Sequence, residues 1–496
     1  MLDHIVAAFG MISNPYVLIV VLLSSIYGLF IGAVPGLSAT MAVALLVPVT
    51  FFMPAVPAIA AMVSATAMAI FSGDIPGCLL RIPGTPSSAA YTDEAHAMAR
   101  NGEAGRALGA GLVVSCIGGL FGTLVLIFFA PVLAEFALDF STYEYFWLVL
   151  LGLTCAIFIA SESPLKGFVS LLIGLFATTI GMNNPGGYAR FTFGNSDLLG
   201  GLSLIPIMVG MFAVSEVLRY AVTSVHGFQK IDATIGHIFK GLYRVVITYP
   251  MSVVRGSVLG VVVGALPGAG ADIAAYIAYG ISKKFSKTPQ KFGTGYVEGI
   301  VEASSANNAS LGGAWIPALV FGIPGDSITA IVIGVLYMKN LNPGPTIFLT
   351  NAVSLYAIFL LFILANLLMI PLGYGAIRLA RTVLKVPRNI LMPLILLFCL
   401  VGSYSINNSL FDVGVTLAFG VIAYLMEENG FPLAPTILGV ILGSMLENNL
   451  VSSLIKSDGH LLAFFDRPIA GTLGVITLAI WIFPLILRAV RARRSA

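Results

Sequence analysis

Two short segments rich in Gly and Pro each occur twice, about half a chain apart, inside sequence that is otherwise strongly apolar. GLFIGAVPGLSATMA (28–42) returns 232 residues later as GVVVGALPGAGADIA (260–274). IPGCLLRIPG (75–84) returns 241 residues later as IPALVFGIPG (316–325). Proline lacks an amide hydrogen and disrupts a helix that passes through it. Irregular backbone at membrane depth is tolerated only where protein buries it or where it lines a watery cavity. Paired breaks of this kind, in corresponding positions of two halves, point to the binding site of a secondary transporter.

The composition agrees with a membrane setting. Of 496 residues, 58% are hydrophobic and 9% charged, with a mean hydropathy of +0.99, against roughly 25% charged in soluble domains. Apolar runs at 15–34, 43–71, 107–134, 145–160, 353–371, around 390–402 and at 469–487 approach or exceed the ~20 residues that cross a bilayer. We expect an all-α polytopic membrane protein with roughly 11–13 membrane segments. A net charge of +3 is too small to suggest a nucleic-acid partner. Cys78, Cys116, Cys155 and Cys399 stand alone, so neither a disulfide framework nor a cysteine metal site is expected. HExxH and GxSxG are missing, and His4, His96, His226, His237 and His460 are scattered. The chain therefore reads as no enzyme and needs no organic cofactor. The start, MLDHIVAAFGMISNPY, lacks the basic region of a cleavable signal peptide.

Charge suggests the arrangement of the halves. The longest charged stretch, 219–255, lies between them, and HGFQKIDATIGHIFKGLYRVV within it fits a helix lying on the membrane face or a solvated loop. Basic residues near membrane ends mark the cytoplasmic side. After its PG motif the second copy runs into KKFSKTPQK, while the equivalent stretch of the first copy, FFMPAVPA, carries no charge. Matching loops of opposite basic content belong on opposite sides. The expectation is therefore two inverted repeats with broken or re-entrant helical hairpins: 1–218, a cytoplasmic linker at 219–245, and 246–496. A short echo, Ser64-Ala65-Thr66 against Ser305-Ala306-Asn307, falls at the same 241-residue offset.

The breaks also carry the candidate chemistry. Gly36, Gly268 and Gly270 allow positive φ and close approach of a ligand. A helix restarting after them offers free amides to a carboxylate, and Ser38 and Thr40 add hydroxyls in the first copy. After Gly84 come Thr85, Ser87 and Ser88; after Gly325 come Asp326, Ser327 and Thr329. Thr85 and Asp326 read equally as ligand contacts and as helix caps. EASSANNAS (302–310) is a polar island whose Asn307, Asn308, Ser304, Ser305 and Ser310 suit a cation, a polar substrate, or contacts between helices. Asp272 and Glu302 are ionisable near membrane depth and so are functional candidates. Glu298, nearer the basic loop, reads as solvated, and Glu216 and Glu447 as structural. Asp74 and Arg81 pair if both are buried; otherwise the Arg81 fork suits a substrate carboxylate. An Na⁺ site is expected near Ser64, Thr66, Asp272, Ser305, Asn307 and Asp326.

These signatures resemble the large membrane subunit of the tripartite tricarboxylate transporters over nearly the whole chain. GAVPGLSATMAVALLVPVTF (32–51), the IPG-TPSSAA block followed by MARNGEAGRALG (98–109), and the series from GALPGAGA to NPGP (264–345) carry the resemblance. It implies an importer with two partners, a small four-helix membrane subunit and a periplasmic solute-binding protein that delivers an organic carboxylate. It also implies uptake across the bacterial inner membrane driven by Na⁺ or H⁺, without ATP. Site elements implied residue by residue are Gly36, Ser38, Gly84, Thr85, Gly268, Gly270, Asn307, Asn308 and Gly325. The chain departs from the usual family pattern at Asp74, Arg81, Ser304 and Asp326, where a small residue, Asn, Glu and a small residue are usual. That redistribution of charge argues against assuming citrate as the substrate.

Overall fold

The computed structural model describes residues 2–159, 163–182, 184–222, 235–239, 241–384 and 388–495. Among them, nine helices are long and apolar enough to cross a membrane. A tenth candidate is the pair Leu242–Thr248 and Pro250–Gly264, bent by 76°. This is fewer than the 11–13 expected from sequence, because Gly and Pro cut apolar stretches into pieces too short to span alone. Ala39–Phe51 and Ser327–Met338 are two such pieces. The 25-residue helix Val297–Phe321 is long enough to span but has a polar centre. The protein is an all-α, multi-pass membrane protein.

The chain forms two compact units, Met1–Ala134 with Ile205–Leu425, and Glu135–Leu204 with Met426–Ala496. Each draws on both halves of the sequence. In the first unit we label α1 (Pro15–Ala33), α2 (Ala39–Phe51), α3 (Ala55–Ser72), α4 (Asp74–Leu80), α5 (Ala104–Ala137), α6 (Pro250–Gly264), α7 (Gly270–Phe285), α8 (Val297–Phe321), α9 (Ser327–Met338) and α10 (Ala352–Val383). The described flanks of the linker are the helices Ser215–Val222 and Leu242–Thr248. The surface helix considered for 219–245 falls largely on residues 223–234 and 240, outside the described residues.

The distribution of side chains is that of a membrane protein. Helix α1 buries Ser24, Ser25, Gly28 and Gly32 and exposes Leu18, Ile19, Leu22, Leu23 and Ile26. Lipid solvates the large apolar side chains, while small residues let helix backbones approach closely. A Cβ at Gly28 would fall on the Ala65 carbonyl of α3, and one at Gly260 on the Ala306 carbonyl of α8. Helix α8 is the centre of this unit, buried from Val297 to Phe321 apart from the half-buried Pro317. Gly256, Gly260 and Gly264 of α6 pack on its carbonyls, as do Gly118 and Gly122 of α5.

The second unit is held by Thr142–Ile159, Pro164–Thr178, Leu433–Lys456 and Pro468–Ser495. A Cβ at Gly174 would meet the Thr436 carbonyl. Trp147 donates its indole N–H to the Phe464 carbonyl at 2.9 Å. Arg190 grips Glu447 with two hydrogen bonds of 2.8 and 2.9 Å, and Arg467 reaches the buried Glu144 at 2.6 Å. The structural reading of Glu447 agrees with this geometry, as does that of Glu216, which pairs with Arg219 at 3.0 Å.

Candidate functional site

Helix α1 stops at Ala33, Gly36 turns the backbone with φ 86°, and Ser38 caps α2 by accepting the Met41 amide at 3.1 Å. In the second copy α6 stops at Gly264, Gly268 turns with φ 83°, and α7 begins at Gly270, φ 58°. These backbones lie in the left-handed region that glycine enters freely. The second motifs close onto the first in the same way in both copies. A Cβ at Gly84 would meet the Gly32 carbonyl, and one at Gly325 the Gly264 carbonyl. Gly32 and Gly264 in turn seat on Ala69 and Ser310. Every one of these pairs is related by the 232- or 241-residue offset, so the duplication is structural, and the weak Ser64-Ala65-Thr66 echo belongs to it.

The copies also interlock. Helix α2 packs on α9, and α7 packs on the short turn Ser87–Tyr91. Within the second copy, the Gly268 amide donates to the Gly325 carbonyl at 2.9 Å. Asp326 lies against Gly270, and Asp272 of α7 has the Asp326 carboxylate and Ser87 as neighbours. Ser87, Gly268, Gly270, Asp272, Gly325 and Asp326 thus come together. Asp272 itself is exposed.

Electrostatically the two breaks differ. In the first copy the polar groups are the hydroxyls of Ser38, Thr40, Thr85, Ser87 and Ser88. In the second, Asp326 caps α9 with a reciprocal box, accepting the Thr329 amide and hydroxyl, each at 2.7 Å. The capping role of Asp326 is therefore realised, and Ser327 opens the helix behind it. Thr85 is buried and exchanges hydrogen bonds with Ser87 at 3.1 Å and Ser88 at 2.8–3.3 Å. An anion near α9 meets two carboxylates, whereas near Ser38 and Thr85 it meets hydroxyl and amide donors.

Asn307 and Asn308 lie in the middle of α8, wholly buried. Asn307 donates to the Tyr91 hydroxyl at 3.2 Å, and Asn308 to the Ala67 carbonyl at 3.3 Å. Both side-chain carbonyl oxygens lack a hydrogen-bond partner. The neighbouring serines are engaged: Ser304 with Ser115 at 2.9 Å, Ser305 with Ser257 at 2.8 Å, and Ser310 with the Asn307 backbone carbonyl at 2.7 Å. Of the residues expected to hold Na⁺, Asp272 and Asp326 meet, Ser305 faces α6 and Asn307 faces Tyr91. Thr66 bonds its own helix at Met62, and Ser64 is buried without a partner.

The structure overturns one expectation, for Glu298, and specifies two others. The condition for an Asp74–Arg81 pair, burial of both, is not met: Asp74 is buried and accepts from Tyr91 at 2.6 Å, while Arg81 is exposed and holds Asp93 at 2.9 Å. Glu302 is wholly buried and clasped by Arg255, whose Nε donates at 2.6 Å and whose Nη2 closes the fork. Glu298 is not solvated. It is 7% exposed and accepts from Ser252 at 3.2 Å and Ser286 at 2.6 Å.

Two residues escaped sequence reading, Tyr91 and Glu94. Glu94 accepts the amides of Gly293, Gly295 and Tyr296, at 2.5–2.8 Å, and the Tyr279 hydroxyl at 2.9 Å. It ties the helix Thr92–Arg100 to the FGTGY stretch of the other half. The Gly-x-Gly spacing at 293–295 marks unusual backbone, but nothing in the sequence names its acidic partner.

The tripartite tricarboxylate transporter TctA family model matches residues 18–438. The chain belongs to that family. It is 33% identical over 475 residues to an uncharacterized 52.8 kDa protein in the TAR-I ttuC′ 3′ region of Agrobacterium vitis, covering 94% of this chain and 93% of that one. An uncharacterized protein in the TAR-II ttuC′ 3′ region of the same organism is 34% identical over 217 residues, covering 44% of this chain and 89% of its own. No solved structure matches.

Proposed function

We propose that this chain is the large membrane subunit of a secondary importer for an organic carboxylate, a tricarboxylate or related acid. It works as a carrier in the bacterial inner membrane and not as an enzyme. A periplasmic solute-binding protein delivers the substrate, a small four-helix membrane subunit completes the complex, and an Na⁺ or H⁺ gradient drives uptake. Family membership supports the tripartite organisation. The observation that carries the carrier reading is the pair of Gly/Pro breaks, duplicated in sequence and making equivalent contacts in both copies.

The site's polarity suggests a division of labour. Substrate carboxylate sits at the first-copy break, where Gly36, Ser38, Gly84 and Thr85 supply amides and hydroxyls around helix starts. The coupling ion belongs with the carboxyl groups of this unit, Asp74, Asp272 and Asp326. Inverted repeats, inferred from the unequal basic content of the matching loops, would present this site alternately to the two sides.

The test is uptake of labelled di- and tricarboxylates into proteoliposomes holding this chain and its small partner, with and without binding protein, under imposed Na⁺ or H⁺ gradients. Uptake requiring the binding protein and one gradient is expected, and Asn307→Ala and Asn308→Ala abolish it while the proteins remain folded. Flux independent of both gradient and binding protein would mean a channel and sink the proposal.

A further inference from the structure

The structure holds a buried carboxyl that none of the site chemistry above uses. Asp74 opens α4, directly after α3, and is 5% exposed. Its Oδ1 accepts from Tyr91 at 2.6 Å, and its Oδ2 has no hydrogen-bond partner. It joins no ion pair among the described residues, since Arg81, the nearest cation in sequence, is spent on Asp93 at the surface. An ionised carboxylate held this way, in a segment of membrane-crossing length, carries a large uncompensated desolvation cost. Something must neutralise it.

The surroundings identify what does. The Tyr91 hydroxyl has one proton and directs it at Asp74, so the contact from Asn307 to Tyr91 has to come from the amide nitrogen. A row of donors, Asn307 to Tyr91 to Asp74, therefore ends on one carboxyl oxygen. A cation shell would need the opposite, several acceptors converging on one point. Beside the other oxygen, Gly111 of α5 leaves space: a Cβ there would stand 3.0 Å from Oδ2 and 3.7 Å from Ser304 Oγ. Ser304 Oγ borders the same gap, and its hydroxyl, directed to the Gly111 carbonyl at 3.4 Å, leaves its lone pairs to accept an O–H from Oδ2.

We infer that Asp74 is the proton-carrying group of this transporter, protonated on Oδ2 in the conformation described. This rests on the carrier reading above and selects H⁺ as its coupling ion. The carboxyl takes a proton from water when the cleft opens to one side. It is sealed as a neutral acid under Tyr91, and returns the proton to water on the other side. The other titratable groups around it do not supply the charge. Cys78 of α4 is a buried thiol, and His96 is engaged with the Cys78 carbonyl at 3.1 Å. Glu94 is turned to residues 293–296, and Glu302 of α8 is held by Arg255. From α1, Tyr27 directs its hydroxyl to the Ala42 carbonyl.

The decisive experiment is infrared difference spectroscopy of the full-length protein in nanodiscs, between acid and alkaline pH, with no substrate present. Wild type should show the carbonyl stretch of a protonated carboxylic acid, lost in Asp74→Asn and displaced in Tyr91→Phe, which removes the hydrogen bond to Oδ1. Adding Na⁺ at fixed pH should leave the band in place. Thermal unfolding checks that the variants fold; where Asp74→Asn does not, Tyr91→Phe and Asp74→Glu must still displace the band. A wild-type spectrum without a band sensitive to Asp74, or a band removed by Na⁺, overturns the inference. Because the measurement uses no substrate, it separates this failure from failure of carboxylate import, which uptake tests alone.

Discussion

Glu302 shows how a charge is kept inside this protein. Its carboxylate is 0% exposed, and the Arg255 guanidinium that clasps it is 24% exposed, so one end of the pair reaches the edge of the packed interior. Such bidentate pairs are geometrically strict, and removing one partner strands the other. We expect Glu302→Gln to destabilise the protein by roughly 2–4 kcal/mol, toward the low end of values for broken buried pairs because Arg255 keeps some access. The double variant Arg255→Leu/Glu302→Leu should recover most of that loss, read as thermal midpoints in detergent; no recovery would mean the pair has another role. Glu302 was recognisable in sequence as an ionisable residue at membrane depth, but its partner was not, because Arg255 lies 47 residues away on α6. Asp74 and Arg81 stay apart for a related reason. Arg81 ends α4 in the left-handed region, φ 58°, which turns its side chain outward to an aspartate on the next helix.

The ends of the broken helices were legible, because Gly and Pro act on the backbone locally. Gly36 and Gly268 adopt nearly the same φ, 86° and 83°, as the repeated PG dipeptide required. What a glycine packs against is a different matter. Gly84 and Gly325 owe their identity to the carbonyls of Gly32 and Gly264, which only the folded hairpins bring near. Gly84→Ala and Gly325→Ala should each cost about 1–3 kcal/mol through overpacking and reduce uptake, since the added methyl pushes the two broken segments of one copy apart. Gly280→Ala is the control: nothing lies within 4 Å of a Cβ there, and replacing a mid-helix glycine gains roughly 0.5–1 kcal/mol. Equal losses at all three positions would show that glycine is needed for flexibility and not for close approach. The turn Ser87–Tyr91 was not legible, since TPSSAAY carries only a general helix-start signal; its importance comes from facing both α7 and α8.

The two compact units divide the chain in a way that neither composition nor repeat spacing announces. Segments 135–204 and 426–496 join through pairs such as Arg190 with Glu447, more than 250 residues apart in sequence, and no local pattern encodes so distant a partner. The handedness of the duplication, by contrast, rests on charge that the sequence does display. Phe52 and Lys284 are related by the 232-residue offset, and both are exposed at the ends of equivalent helices, α2 and α7. If the repeats are inverted, these two positions face opposite sides of the membrane, with the lysine-rich loop in the cytoplasm. Cys78, Cys116 and Cys399 are buried, so Cys155→Ser alone gives a background suited to labelling. In oriented vesicles we expect Lys284→Cys to react with a membrane-impermeant maleimide only from the cytoplasmic face, and Phe52→Cys only from the periplasmic face. Reaction of both from one face would make the repeats parallel. The equivalent contacts within each copy would survive that result, but alternating access by exchange of the two copies' roles would not, because only inversion lets the same local packing present its opening to opposite sides.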